Sequence, residues 1–152
     1  MRTYVGLATA SALLLIAGFV NAHDHGEESD PIKERQGLME DTKNAAGPVG
    51  KMMRGDMDFD AEQFIASMDV FISVASRYGD LFPEGSEFGH GTEAAPAIWS
   101  DRAGFNAALD KWMAAAKAAK AGAPESLNEA RPLAGPVFQT CKGCHDDYRI
   151  DD

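Results

Sequence analysis

Cysteine is scarce, two residues in 152, which excludes a disulfide-stapled scaffold and a four-cysteine zinc site. Positive charge is also short, with 14 Lys and Arg against 24 Asp and Glu and a formal net charge of −10. Phosphate recognition needs a basic face, so the balance argues against a nucleic-acid binder. The longest apolar run, Leu7 to Val20, has 14 residues, fewer than the roughly 20 that a membrane-spanning helix needs. From Asp30 onward no stretch alternates apolar and polar residues as a half-buried strand would. The length suits one ordinary domain with a single buried core. At 45% hydrophobic and 25% charged residues, the composition is that of a small acidic globular protein.

Residues 1–22 have the order of a secretory signal peptide: Arg2, the apolar run, then Val20-Asn21-Ala22 with small or branched residues where a signal peptidase reads. The competing reading is an uncleaved membrane anchor, which the run's length disfavours. Cleavage after Ala22 would leave 130 residues carrying 13 basic and 24 acidic side chains. The expected product is exported and, given the family resemblance described below, periplasmic in a bacterium, with no membrane insertion after cleavage. Residues 23–29 read as a polar, fraying tail. With a freed amine, its His23-Asp24-His25 start could offer a square-planar nitrogen set suited to Cu(II) or Ni(II). Residues 30–152 are the expected folded domain.

Helical spacing runs through that domain. Asp30-Pro31 is an N-cap and first-turn proline, placing Ile32, Arg35, Gln36 and Met39 on one side. Gly47-Pro48 predicts a kink or interruption before Val49. The second stretch is capped by Asp60, with Phe59 placed to staple against Phe64 and an inner face of Phe64, Met68, Phe71, Ala75 and Tyr78. A glycine-rich loop, PEGSEFGHGTEAAP, follows; at that length it calls for a functional reason, such as covering a cofactor edge. The third stretch starts near Ser100-Asp101 and carries Phe105, Leu109, Trp112, Ala116 and Ala119. The fourth holds Leu127, Ala130, Val137, Phe138, Cys141, Cys144, His145 and Tyr148, with Pro132 and Pro136 predicted to break its first half, so that its regular part is expected to start near Pro136. The expected fold is all-α, an antiparallel up-down four-helix bundle.

Cys141-Lys142-Gly143-Cys144-His145 is a C-x-x-C-H sequence, the signature of covalent c-type haem attachment. On a helix the two thiols and the imidazole fall at i, i+3 and i+4 and share a side. Each thiol can add to one haem vinyl group while the neutral imidazole reaches the iron. A thioredoxin-like dithiol would be expected within a βαβ pattern, which is missing. Zinc would need a further ligand, with His90 the only other histidine outside the tail. A disulfide gives no reason for His145. Haem c, one per chain, fits the motif, the signal peptide and the helices together.

From about Asp30 to Ile150 the chain resembles the cytochromes c′, the class II c-type cytochromes. The resemblance rests on Cys-Lys-Gly-Cys-His-Asp-Asp-Tyr-Arg near the C terminus, on Ile32-Lys33-x-Arg35-Gln36-x-x-Met39, and on Pro96-x-Ile98-Trp99. It implies a four-helix bundle with covalently bound haem, Arg35 and Gln36 near the propionates, and Met39 over the distal face of the iron. It also brings Thr92 and Glu93 towards the haem and Arg149 to the proximal side, and it implies a homodimer, commonly through the first two helices. A guanidinium at Arg35 could bind a propionate bidentately; the alternative is an exposed helix face. Arg149 could instead offset the helix dipole.

Three functions follow for comparison. With Met39 only packed, the iron is five-coordinate and high-spin, and the protein transfers electrons and binds small gases such as nitric oxide or carbon monoxide; the resemblance favours this one. With Met39 coordinated, it is a six-coordinate low-spin electron carrier whose redox partner the sequence does not identify. A peroxidase would need a distal acid-base pair, usually histidine with arginine, for which the chain has no evident source. The expected protein is therefore not an enzyme.

Overall fold

A computed structural model describes residues 30–150 of the chain. The expected signal peptide, the expected tail with its histidine pair and the last two aspartates lie outside the described residues. Four long helices form the body: α1 (Pro31–Arg54), α2 (Ala61–Tyr78), α4 (Arg102–Ala121) and α5 (Leu127–Tyr148), with a short α3 (Ala97–Ser100) between α2 and α4. The chain belongs to the all-α class; the single extended pairing among the described residues is an isolated bridge between Ala94 and Arg149.

Each of the four long helices starts where a short polar side chain satisfies orphan backbone donors. Asp30 Oδ1 accepts from the Ile32 and Lys33 amides at 3.0 and 3.3 Å. Asp60 Oδ1 accepts from Gln63 N at 2.9 Å, and the Phe59 and Phe64 rings meet at 6.1 Å as a staple. Asp101 Oδ1 accepts from Gly104 N at 3.1 Å, and Ser126 Oγ from Glu129 N at 3.4 Å. Gly55, at φ 81°, closes α1 in the left-handed conformation that lets its N–H reach the Lys51 and Met52 carbonyls.

The apolar stripes then pack inward: α2 against α1 and α4, α4 against α5, and α5 back against α1. The expected α2 face, Phe64, Met68, Phe71 and Ala75, is buried, and so are Leu109, Trp112, Ala116, Ala130 and Val137 from α4 and α5. Each large side chain so buried contributes about 1.5–3 kcal/mol. This inner stripe, rather than helix propensity, holds the bundle together.

The prolines behave differently from the sequence expectation. α1 runs unbroken through Pro48, and α5 runs unbroken through Pro132 and Pro136, starting at Leu127 rather than near Pro136. Each proline removes one helical hydrogen bond. Pro132 and Pro136 stand exposed on the outer face of α5, where water can reach the carbonyls they free, while Ala130, Ala134 and Val137 on the inner face are buried. The connection before α4 is also less irregular than expected. It contains a 3-10 turn at Gly79–Leu81, the helix α3, and the bridge to Arg149.

Close approach matters at Gly104, where an added Cβ would collide with the Asp101 carboxylate and the Tyr148 hydroxyl. Those two groups hydrogen-bond each other at 3.1 Å and tie the end of α5 to the start of α4. Gly104→Ala should therefore lower the urea-unfolding free energy by about 1–3 kcal/mol. Gly47→Ala, where nothing lies within 4 Å, should be neutral or stabilising by up to about 1 kcal/mol.

Candidate haem site

The C-x-x-C-H residues lie in the last two turns of α5, and Cys141, Cys144 and His145 are each half-buried. All three line one cavity of about 670 Å³, within the roughly 300–1,000 Å³ of small-molecule and cofactor sites. Arg35, Gln36 and Met39 line it from α1, Thr92 and Glu93 from the loop, and Arg149 from the residue after α5. Every site residue expected from the sequence thus borders the same space. The helical register is the cause: i, i+3 and i+4 on α5 face i, i+1 and i+4 on α1 across the gap.

Apolar side chains complete the walls. Phe82, Ile98, Phe105, Leu109 and Trp112 are buried and line the cavity, with Tyr78, Phe138 and Tyr148 beside them. Their rings interlock edge to face, Tyr78 on Phe82 at 5.2 Å, Phe82 on Phe105 at 4.9 Å and Phe105 on Tyr148 at 5.3 Å. The sequence marks Tyr78, Phe105, Trp112 and Phe138 only as helix-face residues. Phe82 and Ser86 carry no periodic signal at all, because they sit outside the long helices.

Arg35 is the least expected of these groups, a guanidinium only 2% exposed. Its Nη1 donates to Leu81 O at 3.1 Å and Ser86 Oγ at 3.0 Å; its Nη2 donates to Ser86 O at 2.7 Å and Thr92 Oγ1 at 2.8 Å. The cation also stacks on Phe82 and Trp99, at 4.5 and 5.7 Å from the ring centroids. All four acceptors are uncharged oxygens, and four of the five guanidinium N–H donors are taken up by the loop. A bidentate grip on a carboxylate would have to displace some of them, so what Arg35 brings to an anionic group in the cavity is chiefly charge. Gln36 is exposed and donates through Nε2 to His90 O at 3.0 Å.

The loop is stitched to the end of α5 as well. Ala95 N donates to Tyr148 O at 3.0 Å, and Ile150 N donates to Glu93 O at 2.8 Å. This pairing brings Arg149 Nε within 3.9 Å of Glu93 Oε2, and the two side chains meet beside His145 at the cavity edge.

Electrostatics suit a covalently bound metalloporphyrin. Burial, and then the Arg149 guanidinium, push the His145 imidazole below its usual pKa, against the pull of Asp146 and Glu93. A neutral ring with a free lone pair is the form a metal takes. Burial raises the Cys141 thiol, and burial with the Cys141 and Asp147 charges raises Cys144 to about 11. Both sulfurs are therefore thiols near neutral pH and unpaired with each other. The imidazole stands in the company of two thiols at the spacing of haem attachment, the chemistry of haem c. The buried Arg35 cation, satisfied only by neutral oxygens, suits the carboxylates that such a group carries.

Comparison with known proteins agrees. The family model described as Cytochrome C' matches residues 30–149. The cytochrome c′ of Rubrivivax gelatinosus is 36% identical over 121 residues, covering 79% of this chain and 94% of the relative. Cytochrome c′ from Rhodopseudomonas palustris has a solved structure that superposes with a TM-score of 0.79 at 30% identity, covering 82% of this chain and 99% of that one. A nitric oxide complex of the L16I mutant of cytochrome c′ from Alcaligenes xylosoxidans superposes with a TM-score of 0.69 at 29% identity, covering 80% and 94%. Fold and site together define a c-type haem protein of the four-helix-bundle class, with one haem covalently bound per chain. Within that class the chain belongs to the cytochrome c′ family, whose members are electron-transfer haem proteins.

Arg35→Lys tests the loop's dependence on the guanidinium, since lysine keeps the charge but loses the planar fork. Amide exchange from Ser86 to Ala94 should accelerate about tenfold or more, while buried α2 and α4 amides at Met68 and Ala116 keep their rates. Uniform acceleration along the chain would assign Arg35 to global stability instead.

Proposed function

We propose that this chain is an exported electron carrier in which Cys141 and Cys144 hold the haem through thioethers and His145 is the axial ligand. The observation that carries this reading is the shared cavity: two thiols and a neutral imidazole on one α5 face, opposite Met39 on α1. Haem held there would supply one-electron redox chemistry and, with Met39 only packed against it, would take small neutral gases such as nitric oxide or carbon monoxide. The nitric oxide complex of the Alcaligenes relative supports the gas-binding part.

The chain's own groups have separable tasks. His145 stays neutral because burial and Arg149 oppose its protonation, so it competes poorly for protons and well for iron. Arg149 with Glu93 sets the charge beside the imidazole, a position from which the pair tunes the ligand's basicity. Met39, half-buried and lining the cavity, packs there as a flexible apolar filler and leaves the iron position open. Arg35 supplies positive charge towards the propionates and Gln36 stands at the same edge, with Thr92 and Glu93 closing the loop side. Peroxide cleavage would need a second acid-base imidazole, and the one histidine among the described residues that line the cavity is His145. The reading is therefore of a carrier and gas binder.

The same reading takes residues 1–22 as a signal peptide removed after Ala22, residues 23–29 as a tail, and residues 30–152 as the periplasmic haem domain. Among the described residues no helix is long and apolar enough to cross a membrane. Two copies are taken to pair as a homodimer, as the resemblance implies.

Absorption and electron paramagnetic resonance spectra of the purified holoprotein test the open position. High-spin ferric and ferrous haem is expected, with a new spectrum on adding nitric oxide and no change of spin state in Met39→Ala. A low-spin native spectrum that Met39→Ala converts to high-spin would reverse the assignment and make Met39 the second axial ligand.

A further inference from the structure

Outside the haem cavity the most unusual surface is the tip of the glycine-rich loop. Phe88 is 83% exposed, the most of any large apolar side chain described, and Ile150 is 47% exposed. Both border a second groove of about 530 Å³ that also takes in Trp99 and Pro96. Gly91, Thr92 and Ala94 line this groove and the haem cavity alike. A strap one chain thick therefore separates the exposed apolar patch from the redox site.

The exposure of Phe88 is built into the fold. On one side Ser86 is clamped by Arg35 through both its hydroxyl and its carbonyl. On the other, Thr92 N donates to Gly89 O at 3.0 Å, Gln36 holds the His90 carbonyl, and His90 Nε2 lies 3.1 Å from Asp30 Oδ2. Gly89, His90 and Gly91 all have positive φ, at 106°, 49° and 65°, a backbone that glycine accepts and histidine tolerates at a cost. An aromatic ring held outward by anchored backbone is the form of an interface anchor, because little conformational entropy remains to be lost on docking.

Charge decides the partner. Among the described residues lining the groove the charged side chain is Glu87; residues 80–101 around it add Asp80, Glu84, Glu93 and Asp101 with no Lys or Arg, and Arg102 turns its guanidinium to the Gly79 and Phe82 carbonyls. Arg149, the basic side chain at the edge, already faces Glu93. Two such faces meeting about a two-fold axis would place like charges together, so a second copy is disfavoured here. A basic protein with an apolar contact patch is complementary.

We propose that the Phe88–Ile150 groove is the docking face for a basic redox protein, which exchanges one electron with the haem across the Gly91–Ala94 strap. One electron leaves the reduced centre of one protein and reduces ferric iron in the other, with no atom transferred. The proposal rests on the electron-carrier reading above and adds the place and the chemistry of the partner. Stopped-flow electron exchange between the holoprotein and a small basic c-type cytochrome, with an acidic flavodoxin as control, provides the test. The rate with the basic probe should exceed that with the acidic one and fall as salt rises. Phe88→Ala should lower it about tenfold with absorption spectrum and reduction potential unchanged, and the Glu84→Gln, Glu87→Gln double variant should flatten its salt dependence. Equal rates for Phe88→Ala and the native protein, or for the two probes, would overturn the docking face while leaving the carrier function standing. A dimer in sedimentation that Phe88→Ala renders monomeric would also overturn it, assigning the patch to self-association. No exchange with either probe would remove the carrier reading and this proposal together.

Discussion

Burying the Arg35 guanidinium takes a full positive charge out of water, and a protein tolerates that only where every exposed lobe of the group finds a partner. Here four N–H bonds go to Leu81, Ser86 and Thr92, and two aromatic faces cover the rest. These contacts bind helix α1 to a segment that has almost no secondary structure of its own. Without them, the chain from Pro83 to Thr92 has no buried apolar side chain to hold it down, and the cavity loses one wall. The same contacts decide what surrounds Phe88, because Ser86 and Thr92 are the fixed points on either side of it. A single buried cation thus organises both the inner and the outer face of the strap.

The opposite wall depends on helical register and not on charge. Cys141, Cys144 and His145 share a side of α5 because 3.6 residues make a turn, and α5 carries them to the cavity only because Ala130, Ala134 and Val137 bury its first half. Two interior prolines weaken that helix, yet they lie on its wet face and leave the packed face whole. The hydrogen bond from Ile150 N to the Glu93 carbonyl and the bond from Tyr148 to Asp101 then fix the end of α5. The motif is held at both ends: packing upstream, backbone and hydroxyl bonds downstream.

Much of this is legible in the sequence, for physical reasons that differ by element. Asp30, Asp60 and Asp101 announce helix starts because capping is local chemistry, settled within four residues. The α2 face and the C-x-x-C-H side follow from periodicity, which is equally local. Pro48, Pro132 and Pro136 mislead, since a proline's penalty is local while the packing that outweighs it comes from other helices. The strap misleads for a related reason. Nothing near Ser86 signals that it will meet an arginine 51 positions away, and nothing near Ala94 signals a bridge to Arg149. Arg35 itself is legible as a site residue only through the family resemblance, and its four loop partners are not legible at all.

Electron transfer without atom transfer places few demands on a protein beyond holding the group still and letting a partner come near. The two cavities meet those demands through one segment. A thick cover over the haem would protect the group but keep a partner's redox centre at a distance. An open edge would admit water to a site whose imidazole is kept neutral by burial. Gly91, Thr92 and Ala94 form the compromise: small side chains in a single layer, held by Arg35 on one flank and by the α5 bridge on the other. Glycine at 91 keeps that layer thin and accepts its positive φ, and the rigidity comes from hydrogen bonds to neighbouring elements rather than from bulk. The loop's composition, poor in apolar residues and rich in glycine and carboxylates, is what a thin, wettable and negatively charged window over a redox centre requires.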